Sequence, residues 1–242
     1  MTSVARWVEV HRLAVAGREA GIAREVGGRV GRVWLARSRF ADVARLAGLT
    51  LTLGEDASAF YDLGWAKNVT GDRTAALEYF GQALRLSRAA GDRGNEAATL
   101  GNIGAVYDGL GERQRALEYY GQALPITREV GDRAGEAATL NNIGLVHRGL
   151  GEPQRALEYY GQALPILQEV GDRAGQAVTR YNVAMIHRDQ GELGRAVAEL
   201  EQVVDLERQV GHPDLQSDTE MLQRVRQELA NSDPGRDDVG GR

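Results

Sequence analysis

Apolar residues recur at helical spacing over most of the chain, and the pattern repeats itself. Leu100, Ile103, Val106 and Tyr107 fall three and four positions apart and mark one face of a helix. Ala116, Leu117, Tyr120, Ala123 and Leu124 mark a second helix. Between them stands Gly-Leu-Gly-Glu, Gly109 to Glu112, which is long enough only for a tight antiparallel turn. The same phasing returns at 40-residue steps: the segments 91–130, 131–170 and 171–210 each open with Gly-Asp-Arg. The first two also share the run RALEYYGQALPI. A weaker copy closes at Ala90, with Gly71 and Ala76 in the places of Gly111 and Ala116. At a junction such as Val130-Gly131-Asp132 the glycine can end one helix in a left-handed conformation, and the aspartate can cap the next. Pro153 falls at a helix start, where its missing N–H costs little. Pro125 and Pro165 fall inside second helices, which predicts a bend in each.

A two-helix unit cannot bury both faces alone, so copies must stack into a continuous array with polar ends. This divides the chain into an N-terminal cap helix (1–23), a divergent helix pair (24–55), and four repeats (56–90, 91–130, 131–170 and 171–210). A C-terminal capping helix (211–230) follows, with Leu215, Leu222, Val225 and Leu229 facing inward. The tail 231–242 lacks apolar periodicity and reads as disordered. The first boundary places Gly21 at a helix end.

Leu100-x2-Ile103-Gly104-x2-Tyr107 followed by Ala116-x3-Tyr120 resembles the tetratricopeptide repeat signature. Leu140, Ile143, Gly144, Ala156 and Tyr160 fit it, as do Phe60, Leu63, Gly64, Ala76 and Phe80. In the last repeat Ala184 takes the glycine place and Leu200 the aromatic one. The 40-residue period is similar to that of kinesin-light-chain-like repeats and of arrays in bacterial regulators. The resemblance implies an all-α tetratricopeptide-repeat solenoid, a right-handed superhelix of antiparallel helix pairs. It also implies that ligands lie along the first helices, on the concave face.

Composition narrows the chemistry. The formal net charge of −5 disfavours nucleic acid as a partner. Residues 1–50 nevertheless hold nine arginines against four acids, so a basic front precedes an acidic body; these read as two solvated surfaces, with a homo-oligomer built on head-to-tail contact between copies as the alternative. Cysteine is absent and Lys67 is the only lysine beside 28 arginines. Thiolate and disulfide chemistry are thereby excluded. The arginine, alanine and glycine usage suggests a GC-rich bacterial source. No apolar run reaches membrane-spanning length and no basic head precedes an apolar stretch, so a cytoplasmic protein without membrane contact is expected. There is no Gly-x-Ser-x-Gly, phosphate loop or His-Glu-x2-His. The expectation is therefore a non-enzyme with no catalytic residues, no metal and no cofactor. His147 and His187 stand where Tyr107 stands in the preceding repeat and read as packing residues.

One constellation points to recognition. Asn102, Asn142 and Asn182 recur at one position of successive first helices, with Asp62 in that place in the first repeat. Trp65, Leu145 and Met185 share their face, with Arg148 and Arg188 at its rim. An asparagine amide both donates and accepts, so such a ladder can pair with the main chain of an extended peptide. The apolar residues would supply pockets, and the arginines would favour an acidic ligand. The same asparagines could equally bridge neighbouring helices. The function expected is a scaffold that binds a protein or peptide in its groove. The alternatives are a sensor module of a bacterial signalling or transcription regulator and a self-assembling structural protein.

Overall fold

The computed structural model describes residues 4–35 and 37–232. Its period is set by backbone chemistry at the turns. Eight glycines at 20-residue steps, Gly71 through Gly211, hold φ between +65° and +88°, a region that disfavours any residue with a Cβ. Helices fill the intervals. Among the described residues they are α1 (Val4–Ala16), α2 (Ala20–Leu35), α3 (Phe40–Leu51), α4 (Ala57–Val69), α5 (Arg73–Ala90) and α6 (Arg93–Gly109). After them come α7 (Arg113–Glu129), α8 (Arg133–Gly149), α9 (Pro153–Glu169), α10 (Arg173–Asp189), α11 (Leu193–Val210) and α12 (Leu215–Ser232). No strand occurs among the described residues, and no helix there is long and apolar enough to cross a membrane.

Aspartates start many of these helices. The side chains of Asp72, Asp92, Asp132 and Asp172 accept from the backbone N–H groups of Ala75, Asn95, Gly135 and Gly175. Each satisfies a donor that the helix itself leaves orphaned, worth about 1 kcal/mol. Pro153 sits in the first turn of α9. The helices α7 and α9 each continue as one element through Pro125 and Pro165.

The pairs α4–α5, α6–α7, α8–α9 and α10–α11 pack most extensively. Each is locked by a large side chain seated on a small one. Phe80 lies on Gly64, Tyr120 on Gly104 and Tyr160 on Gly144, so closely that a Cβ on any of those glycines would collide with the ring. In the last pair the volumes shift together: Ala184 and Leu200 are both fully buried. Ion pairs repeat as well. Arg93 bridges Glu96 (2.6 Å) and Glu129 (2.7 Å), and Arg133 bridges Glu136 and Glu169.

The chain divides into two compact units, Met1–Gly131 and Asp132–Arg242. The first holds α1 to α7. Its front core gathers Val26, Val30, Trp34, Val43 and Leu46 under Val4, Trp7 and Val8. Here the expected boundaries shift. Gly21 lies in the first turn of α2, and α1 ends at Ala16, because Arg18 takes the left-handed turn (φ 58°) that glycine takes elsewhere. The second unit holds α8 to α12. In α12, Leu222 and Val225 are buried against Met185, Ala196 and Leu200. Leu229 is exposed, contrary to expectation, because burial along the helix stops at Val225. The helix runs on through Asn231 and Ser232, two residues into the segment expected to be disordered, and 233–242 lie outside the described residues.

Candidate functional site

The first helices of successive pairs neighbour one another: α2, α4 and α6 in the N-terminal unit, α8 and α10 in the C-terminal one. The residues singled out from the sequence fall on them.

In the N-terminal unit, Asn102 on α6 donates through Nδ2 to the Tyr61 hydroxyl (2.8 Å) and to the Ala98 carbonyl (3.1 Å). One amide proton is thus used between neighbouring first helices and the other within α6 itself. Trp65 on α4 is half-buried, with its ring 5.5 Å from that of Phe40. Asp62, also on α4, is only 9% exposed. Burial pushes its carboxyl up to about 7, against the pull of the Arg32 guanidinium and with a small push from Asp56. Beside it opens a cleft of about 310 Å³, lined by Arg32, Leu35, Ser58, Tyr61, Asp62 and Asn95.

In the C-terminal unit, Asn142, Leu145 and Arg148 form a stripe along α8 at steps of three. The Asn142 side chain is half-buried and makes no hydrogen bond among the described residues. Leu145 is 41% exposed. Arg148 reaches to α10, where Nη1 donates to Asn182 Oδ1 at 3.2 Å. Asn182 is buried, and its two neighbours along α10 turn toward α12. Met185 packs with Leu222 and Val225, and Arg188 holds Glu228 through two bonds of 2.9 and 2.5 Å. The structure therefore leaves Asn142, Leu145 and Arg148 accessible and occupies Met185 and Arg188 internally.

The residue just before three of the four ladder positions also contributes, which the sequence reading passed over. Tyr61 accepts from Asn102, and Asn141 accepts from Thr179 Oγ1 at 3.0 Å. Tyr181 lines a second cleft, of about 390 Å³, with Asn182, Glu207, His212 and Asp218. The register alone signals these positions, since Tyr61, Asn141 and Tyr181 sit 80 and then 40 residues apart. Glu207 is buried there, and loss of solvent followed by the nearby Asp218 pushes its carboxyl up to about 7. The histidines pack. His147 stacks on Tyr159 with ring centroids 5.3 Å apart, as Tyr107 does on Tyr119, and its Nδ1 lies 2.6 Å from Glu152. His187 Nδ1 lies 2.7 Å from Glu192. Among the described residues no three His, Asp or Glu side chains are arranged to hold a metal.

The sequence matches the tetratricopeptide repeat family over residues 55–129 and 130–209, more than half of the chain. The chain belongs to the tetratricopeptide repeat family. The helices α1 to α3 precede the matched stretch. Comparison with curated proteins finds no match. Solved structures share the fold. Aspartyl phosphate phosphatase F from Bacillus subtilis is similar with a TM-score of 0.73 at 14% identity, over 89% of this chain and 61% of that one. This tetratricopeptide chain thus spans about three fifths of the length of that protein. The Cut9–Hcn1 hetero-tetramer structure of APC/C gives 0.70 at 16% identity, over 96% of this chain and 41% of that one. A putative kinesin light chain from Podosopora anserina with nearly identical repeats gives 0.59 at 15% identity, over 77% and 95%.

Proposed function

We propose that this protein is a non-catalytic interaction scaffold that holds an extended segment of a partner protein along its first helices. The observation that carries the reading is the α8 stripe: a free amide at Asn142, an exposed leucine at Leu145 and a cation at Arg148. The amide offers donors and an acceptor to a partner main chain, Leu145 an apolar contact, and Arg148 a partner for an acidic side chain. Asn182 fixes Arg148, while Met185 and Arg188 support the face from below through α12. In the N-terminal unit the Asn102 amide protons are already taken, which leaves Trp65, half-buried on α4, as the residue that face offers. A net charge of −5 favours protein over nucleic acid as the partner class.

The test compares partners retained from lysate by wild type, by an Asn142→Ala, Leu145→Asp, Arg148→Ala triple variant and by Glu158→Ala. Glu158 is exposed on α9, outside the stripe. With helicity and melting matched, a partner lost by the triple variant and kept by Glu158→Ala is the expected result. A partner kept by all three overturns the assignment to α8.

A further inference from the structure

The ladder position behaves differently in the first repeat, and the preceding helix explains why. Asn102 bonds back to Tyr61 on α4, and Asn182 bonds back to Arg148 on α8. Asp62 faces back toward α2, which presents glycines. A Cβ on Gly31 would collide with the Asp62 carboxylate, so only glycine there leaves it room. One turn earlier the Arg32 guanidinium folds over Gly28, its Nη1 3.8 Å from where a Cβ would stand.

The two charges attract through space, but neither has a bonded partner. Among the described residues Asp62 and Arg32 make no hydrogen bond or ion pair, with each other or with any other group. Asp62 is more than nine-tenths buried at the wall of the 310 Å³ cleft, and Arg32 is exposed at its lip. Leaving a buried carboxyl without a partner is costly, and a cationic nitrogen placed against it removes that cost. The two groups lie over glycines one helical turn apart, about 4.5 Å along the axis. The cleft volume sits at the small end of ligand pockets. Its lining adds the hydroxyls of Ser58 and Tyr61 and the amide of Asn95. The Tyr61 oxygen already accepts from Asn102, which leaves its proton to donate.

We propose that this cleft binds a small zwitterion of the amino-acid class, its cationic nitrogen on Asp62 and its carboxylate on Arg32. The inference is independent of the partner-segment reading, which rests on α8 in the other unit.

The test is calorimetric titration of the full chain at pH 7 with lysine, arginine and γ-aminobutyrate. Butylamine and butyrate serve as half-ligands carrying one charge each. At least one zwitterion binds, and both half-ligands bind at least tenfold more weakly. Asp62→Asn installs the residue found at the same place in three other repeats. It is expected to keep the wild-type melting behaviour and lose binding at least tenfold, as is Arg32→Gln. Asp62 is held up to about 7, with Arg32 from α2 and Asp56, itself 3.7 Å from Arg24, as the charged groups around it. Binding of a cation therefore drives its proton off. The heat will depend on the ionisation enthalpy of the buffer in wild type but not in Asp62→Asn. Absence of binding by all three zwitterions overturns the proposal. So does full affinity in Asp62→Asn, or a half-ligand that binds as tightly as the zwitterions. Should Asp62→Asn not fold, Arg32→Gln and the buffer dependence of wild type decide the matter in the same way.

Discussion

The repeats from α4 to α11 and the front helices α1 to α3 meet the same demands with different residues. In the repeats, glycine takes every left-handed turn. At the front the turns fall to Arg18 (φ 58°) and Ser38 (φ 55°). In the repeats, aspartates cap five of the eight helices by accepting backbone N–H bonds, whereas Arg39 opens α3 without a side-chain cap. In the first three repeats, a ring seats on a glycine. At the front, a buried polar pair lies in the packing: His11 Nε2 is 2.9 Å from Thr50 Oγ1. Thr50 gives its proton to the Leu46 carbonyl (3.2 Å), so His11 Nε2–H donates to the hydroxyl oxygen. The difference is that repetition preserves the low-cost solution at every turn and lock. The unrepeated front carries strain of about 1 kcal/mol at each left-handed side chain.

The comparison is broken most severely by removing a lock. Tyr160 is fully buried, and truncation to alanine leaves the space above Gly144 empty. Tyr160→Ala is expected to cost about 3–5 kcal/mol, as large-aromatic truncations do. Urea denaturation of the full chain checks it. A loss below about 1 kcal/mol would mean that the ring on the glycine is not what holds the pair.

A smaller effect is expected from giving the front the chemistry of the repeats. Arg18→Gly with Ser38→Gly relieves two left-handed side chains at the cost of added freedom in the unfolded chain, for a net gain of about 1–2 kcal/mol. Hydrogen exchange localises the effect: amides of α1 to α3 gain protection while those of α8 to α11 stay unchanged. Next comes pH. Burial holds His11 below its ordinary 6.5, so the folded front binds fewer protons than the open chain. Stability from this group is present above about pH 6.5 and is lost as pH falls below it. Exchange of the α1 amides, corrected for intrinsic rates, should accelerate between pH 7.5 and 5.5. His11→Gln should remove that dependence. Equal protection at both pH values in wild type would contradict a burial that disfavours the charged ring.

The repeats were legible in the sequence because their geometry demands particular residue types at fixed steps. A left-handed turn selects glycine at Gly71 and every twentieth residue after it, and the close approach of paired helices selects Gly64, Gly104 and Gly144. The front was misread at Gly21 for the converse reason. Arg18 accepts the strained turn, so the glycine that marks a helix end elsewhere stands inside α2. Leu229 was misplaced because periodicity records which face is apolar and not how far along the helix a partner reaches. The ladder was visible as a row of asparagines, but its roles were not. Whether an amide is free depends on its neighbour one repeat away, Tyr61 for Asn102 and Arg148 for Asn182. Spacing within one repeat carries no record of that neighbour.

The mildest test separates shape from polarity within the lock itself. The first repeat uses Phe80 where the later ones use Tyr120 and Tyr160, and all three rings seat on glycine alike. The Tyr160 hydroxyl is buried and meets no hydrogen-bond partner among the described residues, and burial pushes it up to about 12. A buried hydroxyl without a partner costs free energy that the ring does not need for packing. Tyr160→Phe keeps the shape and removes the group, so the third repeat adopts the chemistry of the first. The expected result is a gain of up to about 1 kcal/mol in urea denaturation, opposite in sign to Tyr160→Ala at the same position. A loss instead would show that the hydroxyl is bonded in solution, and that the repeats differ at this position by selection for polarity.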